Sequence, residues 1–320
     1  MNNKKYFITG GAGFLGYEII KLLLKNNSQI VCYDNISRGS VDKLDKVLKD
    51  INFIEGDIRD EQKVIESSKG CDSIIHLAFI NGTEYFYKKP DLVLDVGIKG
   101  MQNVLNVAKK NNISELILAS SSEVYQTPAL IPTPENILLA VPDVFNPRYS
   151  YGAAKIISEI LSIHNNNLFE RMMIFRPHNV YGPNMGNEHV VPQLINRIKK
   201  ILKEDNKKKS LDFPILGDGN QRRSFNYITD FGEGVLKIVN HGKHNNIYHI
   251  GDENEFCIRD LVKIIGNIFN VELKIKSTEA PAGETKRRCP DISKIKQLGY
   301  LPKVSLQTGL KLTIDWYCSN

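Results

Sequence analysis

Residues 10–16 read Gly10-Gly11-Ala12-Gly13-Phe14-Leu15-Gly16, directly after the apolar run Tyr6–Thr9 and directly before a stretch in which Leu15, Ile19, Leu22 and Leu23 share one helical face. A glycine-rich turn between a strand and an amphipathic helix lets the backbone approach a pyrophosphate. Gly10, Gly13 and Gly16 present no side chain to hold an anion off, and the unpaired N–H groups around Phe14, Leu15 and Gly16 at the helix start attract it. Asp34 ends the next β-rich run, about 20 residues beyond the turn, where a carboxylate accepts hydrogen bonds from ribose hydroxyls and repels a 2′-phosphate. The Asp34-Asn35 pair therefore favours NAD over NADP, with the nearby Arg38 pulling the other way.

Outward from this turn, short β-rich runs alternate with helical patterns. The expected strands are Tyr6–Thr9, Gln29–Asp34, Asn52–Glu55, Ser73–Leu77, Glu115–Ser120 and Arg171–Arg176. Helical spacing runs through Val93, Val96, Val104 and Val107, and again through Ile156, Ile157, Ile160 and Leu161. Strict βα alternation predicts an α/β fold, a Rossmann-type doubly wound parallel sheet with helices on both faces. After Pro177 the pattern breaks into the Pro-, Gly-, Asn- and His-rich segment Pro177–His189, a helix-like stretch and the turn-rich Pro214–Asn220. Phe225–Ile228 and a helix from Asp230 read as a return to the main sheet. The expected division is a dinucleotide-binding domain over 1–176 with a returning segment at about 224–250. A smaller C-terminal α/β substrate-binding lobe takes 177–223 and 251–320.

Ligands of such sheets collect at the carboxyl ends of the strands, which makes Asp57-Ile58 and Leu77-Ala78 further candidates for the cofactor. The chemistry is carried by Tyr151 and Lys155, spaced i, i+4 so that both project from one helical face. An ammonium beside a phenol favours the phenolate and lowers its pKa from roughly 10 toward neutrality, making an acid–base catalyst. The serine-rich strand end Ser120-Ser121-Ser122-Glu123 precedes the pair.

With these pieces in place the chain resembles the extended short-chain dehydrogenase/reductases, the NAD-dependent epimerases and dehydratases of sugar nucleotides. The likeness rests on Thr9–Gly16, His76–Ala78, Ala119–Tyr125, Tyr151–Lys155, Arg176–Pro183, Gly219–Asp230 and Arg287–Lys294, in order along almost the whole chain. The resemblance implies tightly held NAD and a first step in which Tyr151 takes a proton from a sugar hydroxyl, commonly at C4, while hydride leaves the same carbon. A hydroxyl bonded to that oxygen is Ser121 by alignment with decarboxylases and mannose dehydratases, or Ser122 by the longer count of galactose epimerases. Glu123 matches a glutamate that in dehydratases and decarboxylases acts after the oxidation, for instance on a C5 proton acidified by the ketone. Asn179, Arg223 and Arg288 match residues that hold the nucleotide diphosphate, a role suited to the guanidinium fork. The resemblance also implies a homodimer built through the helices near Asp91–Lys109 and Tyr151–Ile163. Relatives carry Asn at the position of Gly97 and Gly at the position of Gln126, so two local substitutions mark this chain.

The expected substrate is a sugar nucleotide, an NDP-hexose or NDP-heptose. The net reaction would be epimerisation, dehydration or plain C4 oxidation that passes a ketone to a partner enzyme. A non-catalytic dinucleotide-sensing scaffold is the reading from another class, and the intact glycine turn, tyrosine and lysine argue against it. The net charge of +6 is mild, and the basic pairs around Lys199–Lys200 and Lys207–Lys209 read as solvated surface, so no nucleic-acid partner is expected. Five scattered cysteines without a CxxC pair, and isolated His178, Glu188 and His189, predict neither a metal site nor a disulfide framework. No apolar stretch approaches the ~20 residues of a membrane span. Met1–Lys5 shows no signal-peptide pattern, and the expected location is cytoplasmic.

Overall fold

The computed structural model describes residues 4–204, 209–279 and 285–319. Its first half alternates strand and helix: β1 (Lys5–Thr9), α1 (Phe14–Lys25), β2 (Gln29–Asp34), β3 (Asn52–Glu55), α2 (Glu61–Ser67), β4 (Ser73–His76), α3 (Thr83–Lys88), α4 (Pro90–Asn111), β5 (Glu115–Ala119), α5 (Ser150–His164) and β6 (Arg171–Pro177). There follow β7 (Val180–Tyr181), α6 (Val190–Glu204), β8 (Ser210–Leu216), β9 (Arg222–Ser224), β10 (Asn226–Tyr227), α7 (Ile228–His241) and β11 (Asn246–Ile250). The chain closes with β12 (Glu255–Cys257), α8 (Ile258–Ile268), β13 (Glu272–Thr278), β14 (Arg287–Arg288), α9 (Ser293–Lys296) and α10 (Leu306–Ser319).

Seven strands form one sheet in the order β11-β6-β5-β4-β1-β2-β3, and every pairing is parallel. Successive side chains of a strand face opposite ways, so a sheet covered on both sides needs apolar residues at every position. Phe7, Ile74, Leu116 and Leu118 enter the core under α4, while Ile8, Ile75 and Ile117 enter the core under α1 and α7. Helices α1 and α7 pack at close range because residue 232 is glycine; a Cβ there would stand 2.5 Å from Leu22 Cδ1.

The expected strands and helices of the first half are present, with ends shifted by a residue at most among the strands. The return to the sheet is different. Phe225–Ile228 was the expected returning strand, but only Asn226–Tyr227 is extended there, and it pairs with Val180–Tyr181. The strand that joins the main sheet is β11, whose Tyr248 lies opposite Phe175 of β6. A parallel neighbour needs a crossover helix before it, and α7 supplies that helix ahead of Asn246 rather than after it. Pro214 lies within β8 rather than in a turn, paired with Lys276 of β13. Outside the main sheet, β8 pairs with β13 and β12-β9-β14 form a three-stranded sheet; helices α6, α8 and α10 belong to the same half of the chain. Lys207 and Lys208 of the basic segment, and Met1–Asn3, lie outside the described residues. Among the described residues no helix is long and apolar enough to cross a membrane.

Candidate active site

The carboxyl ends of β1, β2, β4 and β5 open into a cleft of about 590 Å³ that also takes residues from the Pro177–His189 segment and from β14. At one end stands the glycine turn. Gly10 has φ +73°, and a Cβ on it would lie 2.7 Å from the Ala78 nitrogen; one on Gly16 would lie 2.5 Å from the Gly10 oxygen. The backbone of β1 is thus flush against the end of β4, a close approach that side chains forbid. Helix α1 starts at Gly13 with no side-chain cap and no acidic residue in its first turn. Its amides and its positive end are left for an anion. Asp34 is buried at the rim, with Oδ2 accepting from Ala12 N at 3.0 Å and Oδ1 from Ile36 N at 2.8 Å. Burial pushes its pKa up, against the pull of those two amides. Turn, helix end and carboxylate fit a dinucleotide with a free 2′-hydroxyl.

Arg38, which could have argued for a 2′-phosphate, is turned elsewhere. Its guanidinium pairs with Glu188 and lies 4.9 Å from the centroid of the Tyr85 ring. His189 beside it is held down to about 4 by burial and by Arg38 and Lys43. Among the described residues no group of His, Cys, Asp or Glu is placed to hold a metal ion.

Tyr151 and Lys155 share the inner face of α5, both buried. The Ser121 hydroxyl, N-cap of the turn after β5, accepts from Glu123 N at 3.1 Å and stands by the Tyr151 phenol, whose ionised form it favours. Ser122 also lines the cleft. The expectation that Lys155 lowers the phenol toward neutrality is not met in this structure. Burial, with a smaller contribution from the Glu123 charge, pushes the Tyr151 phenol up despite the opposing influence of the Ser121 hydroxyl. Lys155 Nζ donates instead to Ala119 O at 2.7 Å, and burial brings its pKa down to about 7 against the opposing charge of Glu159.

Opposite, Arg288 Nη1 donates to Glu123 Oε1 at 2.6 Å. Burial opposes the charge on Glu123, but Arg288, with Arg148 and Arg223 beyond it, outweighs burial and holds the carboxyl below its ordinary value. Asn179, with φ +40°, donates its side-chain amide to Ser224 O at 2.8 Å. Gln126 shows why glycine suits its position: φ is +50°, a left-handed conformation that a side chain disfavours. Its amide compensates by donating to Glu123 O at 2.7 Å.

Of the expected site residues, Gly10, Gly13, Phe14, Leu15, Gly16, Asp34, Asn35, Ile58, Leu77, Ala78, Ser121, Ser122, Glu123, Tyr151, Lys155, Asn179 and Arg288 all line this one cleft. Asp57 and Arg223 do not. The Asp57 carboxylate is engaged by Arg59 at 2.8 Å and by Asn35 at 3.1 Å, and Arg223 donates to the Thr285 and Arg222 carbonyls. The cleft also holds Phe79, Tyr85 and Phe86, which the sequence reading passed over. Their one local signal is position, just beyond the end of β4.

A model of the NAD dependent epimerase/dehydratase family matches residues 6–251. The chain is similar to UDP-glucuronic acid decarboxylase 3 of Arabidopsis thaliana, at 31% identity over 318 residues, 97% of this chain and 88% of that one. It is similar to a UDP-glucuronate 4-epimerase of Thermodesulfobacterium geofontis, at 29% over 332 residues, 98% and 96% of the two chains. Among solved structures it matches a UDP-glucose 4-epimerase of Thermotoga maritima with UDP-glucose, at TM-score 0.87 and 26% identity, covering 98% of this chain and 99% of that one.

Proposed function

The chain belongs to the NAD-dependent epimerase/dehydratase family, and we propose that it oxidises a nucleotide-activated hexose at C4 and completes the reaction on the resulting ketone within the same cleft. The observation that carries this reading is the convergence of Tyr151, Ser121 and Glu123 between the glycine turn and Arg288. When bound, NAD supplies the acceptor for the hydride leaving C4. Tyr151 takes the proton of the C4 hydroxyl, and Ser121 holds that oxygen in line. Lys155 supplies the positive charge that makes the phenolate accessible once substrate closes the site. Arg288 and Asn179 hold the diphosphate, and Arg288 must loosen its bond to Glu123 to do so.

Glu123, ionised at neutral pH, is the base available for a proton next to the ketone. The relatives named above act on UDP-linked sugars by their printed names, so UDP-hexoses lead the candidates; NDP-heptoses remain in the panel. We also place the enzyme in the cytoplasm, where the free thiols of its cysteines stay reduced.

The test is incubation of the NAD-loaded protein with UDP-, GDP- and dTDP-sugars, with and without a co-oxidant, followed by mass and NMR analysis. A stereoisomer, loss of water, loss of carbon dioxide or a ketone two mass units lighter would each identify the net reaction, on the basis of ordinary mass balance. Consumption of none of them would refute the reading. Tyr151→Phe should lower turnover by at least about 10²-fold while the protein still co-purifies with NAD. Glu123→Gln should leave C4 oxidation intact but block dehydration, so that a 4-ketone accumulates; in an epimerase it should change little.

A further inference from the structure

Gly97 and Phe79 are complementary. A Cβ on Gly97 would lie 2.3 Å from Phe79 Cζ, so the ring occupies the space that a side chain at 97 would need. From there it touches both members of the acid–base pair. Its face lies 3.6 Å, centroid to nitrogen, from Lys155 Nζ, and its edge meets the Tyr151 ring at 5.4 Å and 86°. Phe86 stacks on Tyr151 at 5.1 Å and 19°. Lys155 is 2% exposed, and the carboxylate nearest along its own helix, Glu159, is already bonded to Arg176 and Ser120.

A buried ammonium needs compensation, and the negative face of an aromatic ring within about 6 Å supplies it where water is excluded. We propose that Phe79 is a positioning residue for Lys155: its ring face, lodged against Gly97, fixes the ammonium beneath Tyr151 and keeps it charged. The inference rests on Tyr151 and Lys155 being the acid–base pair.

The groups facing Lys155 leave the ring a distinct part. Tyr151 and Glu159 stand on its own helix, and Arg176 of β6 neutralises Glu159. His76 of β4 is held neutral, burial pushing it down to about 3. Glu123, after β5, acts on Tyr151 rather than on the ammonium. The pair Tyr151–Lys155 shares one proton in its active form and titrates as a unit. Weakening the ring face moves that proton from the lysine to the phenol. The plateau of kcat then falls, and the acid limb of the pH profile moves to lower pH.

Replacing Phe79 with 2-fluoro- and then 2,6-difluorophenylalanine weakens the face with little change of shape, away from Cζ and Cε1, the ring atoms nearest Gly97. The NAD-loaded enzyme should lose kcat stepwise, about fivefold across the series and about tenfold in Phe79→Leu. The acid limb should shift downward in parallel, with KM and NAD content unchanged. A flat fluorine series, or loss of kcat without movement of the limb, would show that the ring only packs and would overturn the proposal, whether or not Phe79→Leu folds. A Tyr151→Phe control that keeps full turnover would instead overturn the acid–base reading on which it rests.

Discussion

At the scale of single residues, the cleft is governed by which charges are buried and what faces them. Lys155 illustrates the sign. Its pKa is about 7 in the folded chain against 10.5 ordinarily, because burial disfavours the charged form. Between those values the unfolded chain binds more protons than the folded one, so stability rises with pH through this window and is lowest below it. Lys155→Met should therefore raise the unfolding free energy of the apoprotein at pH 6 by on the order of a few kcal/mol, and the gain should fade as pH rises toward 10. Calorimetry across that range checks this; a gain independent of pH would contradict it. Arg38 is the second case. Held by Glu188 across the cleft, it does not offer its fork to a 2′-phosphate. Nucleotide released by denaturing the protein should be NAD. Glu188→Gln should tighten NADP binding about tenfold, the worth of one charge-assisted contact, with titration by fluorescence quenching as the readout.

At the scale of elements, α5 is fixed to the sheet by a buried ion pair. Glu159 on α5 accepts from Arg176 Nε at 2.8 Å, and both side chains are 2% exposed. Arg176 also donates to Tyr125, whose hydroxyl meets His249 Nε2 of β11 at 2.6 Å. The network ties α5, β6, β11 and the turn after β5, and that turn carries Ser121 and Glu123. Arg176→Met should destabilise the fold by about 3–5 kcal/mol by stranding a buried carboxylate. Arg176→Met with Glu159→Leu should recover most of that loss, since both charges are then gone. Denaturant melts of the single and double variants distinguish the pair from simple packing: additive losses would count against it.

At the scale of the whole molecule, the site lies at the carboxyl edge of the sheet and also takes residues from the Pro177–His189 segment and Arg288 from β14, so it draws on distant parts of the chain. Helices α4 and α5 pack against each other on one face of the sheet. Leu105, expected to serve a partner as well as the sheet, is 3% exposed and committed to the chain's own core; Ile160 is 50% exposed. We propose that Ile160, with the partly exposed Leu94, Ile98, Ile156 and Ile157, forms the seam of a homodimer. Light scattering at micromolar concentration should give twice the chain mass, and Ile160→Glu should shift it to the monomer without loss of NAD. A wild-type monomer would refute the seam.

The sequence by itself determined the parallel sheet and the place of the site. Glycine spacing at Gly10–Gly16, the strand-to-helix alternation and the i, i+4 pair Tyr151–Lys155 are local or periodic signals, and each dictates geometry within a few residues. Asp34 was legible for the same reason, lying one strand on from the turn it faces. Only the tertiary structure decided that Arg288 reaches Glu123, 165 residues away, that Arg38 spends its charge on Glu188, and that Phe79 fills the room left by Gly97. It also decided that Asp57 and Arg223 are not among the residues lining the cleft, and that β11 rather than Phe225–Ile228 completes the sheet. Such contacts join residues whose separation along the chain bears no relation to their separation in space, and they are chosen by burial, which a pattern of neighbours does not record.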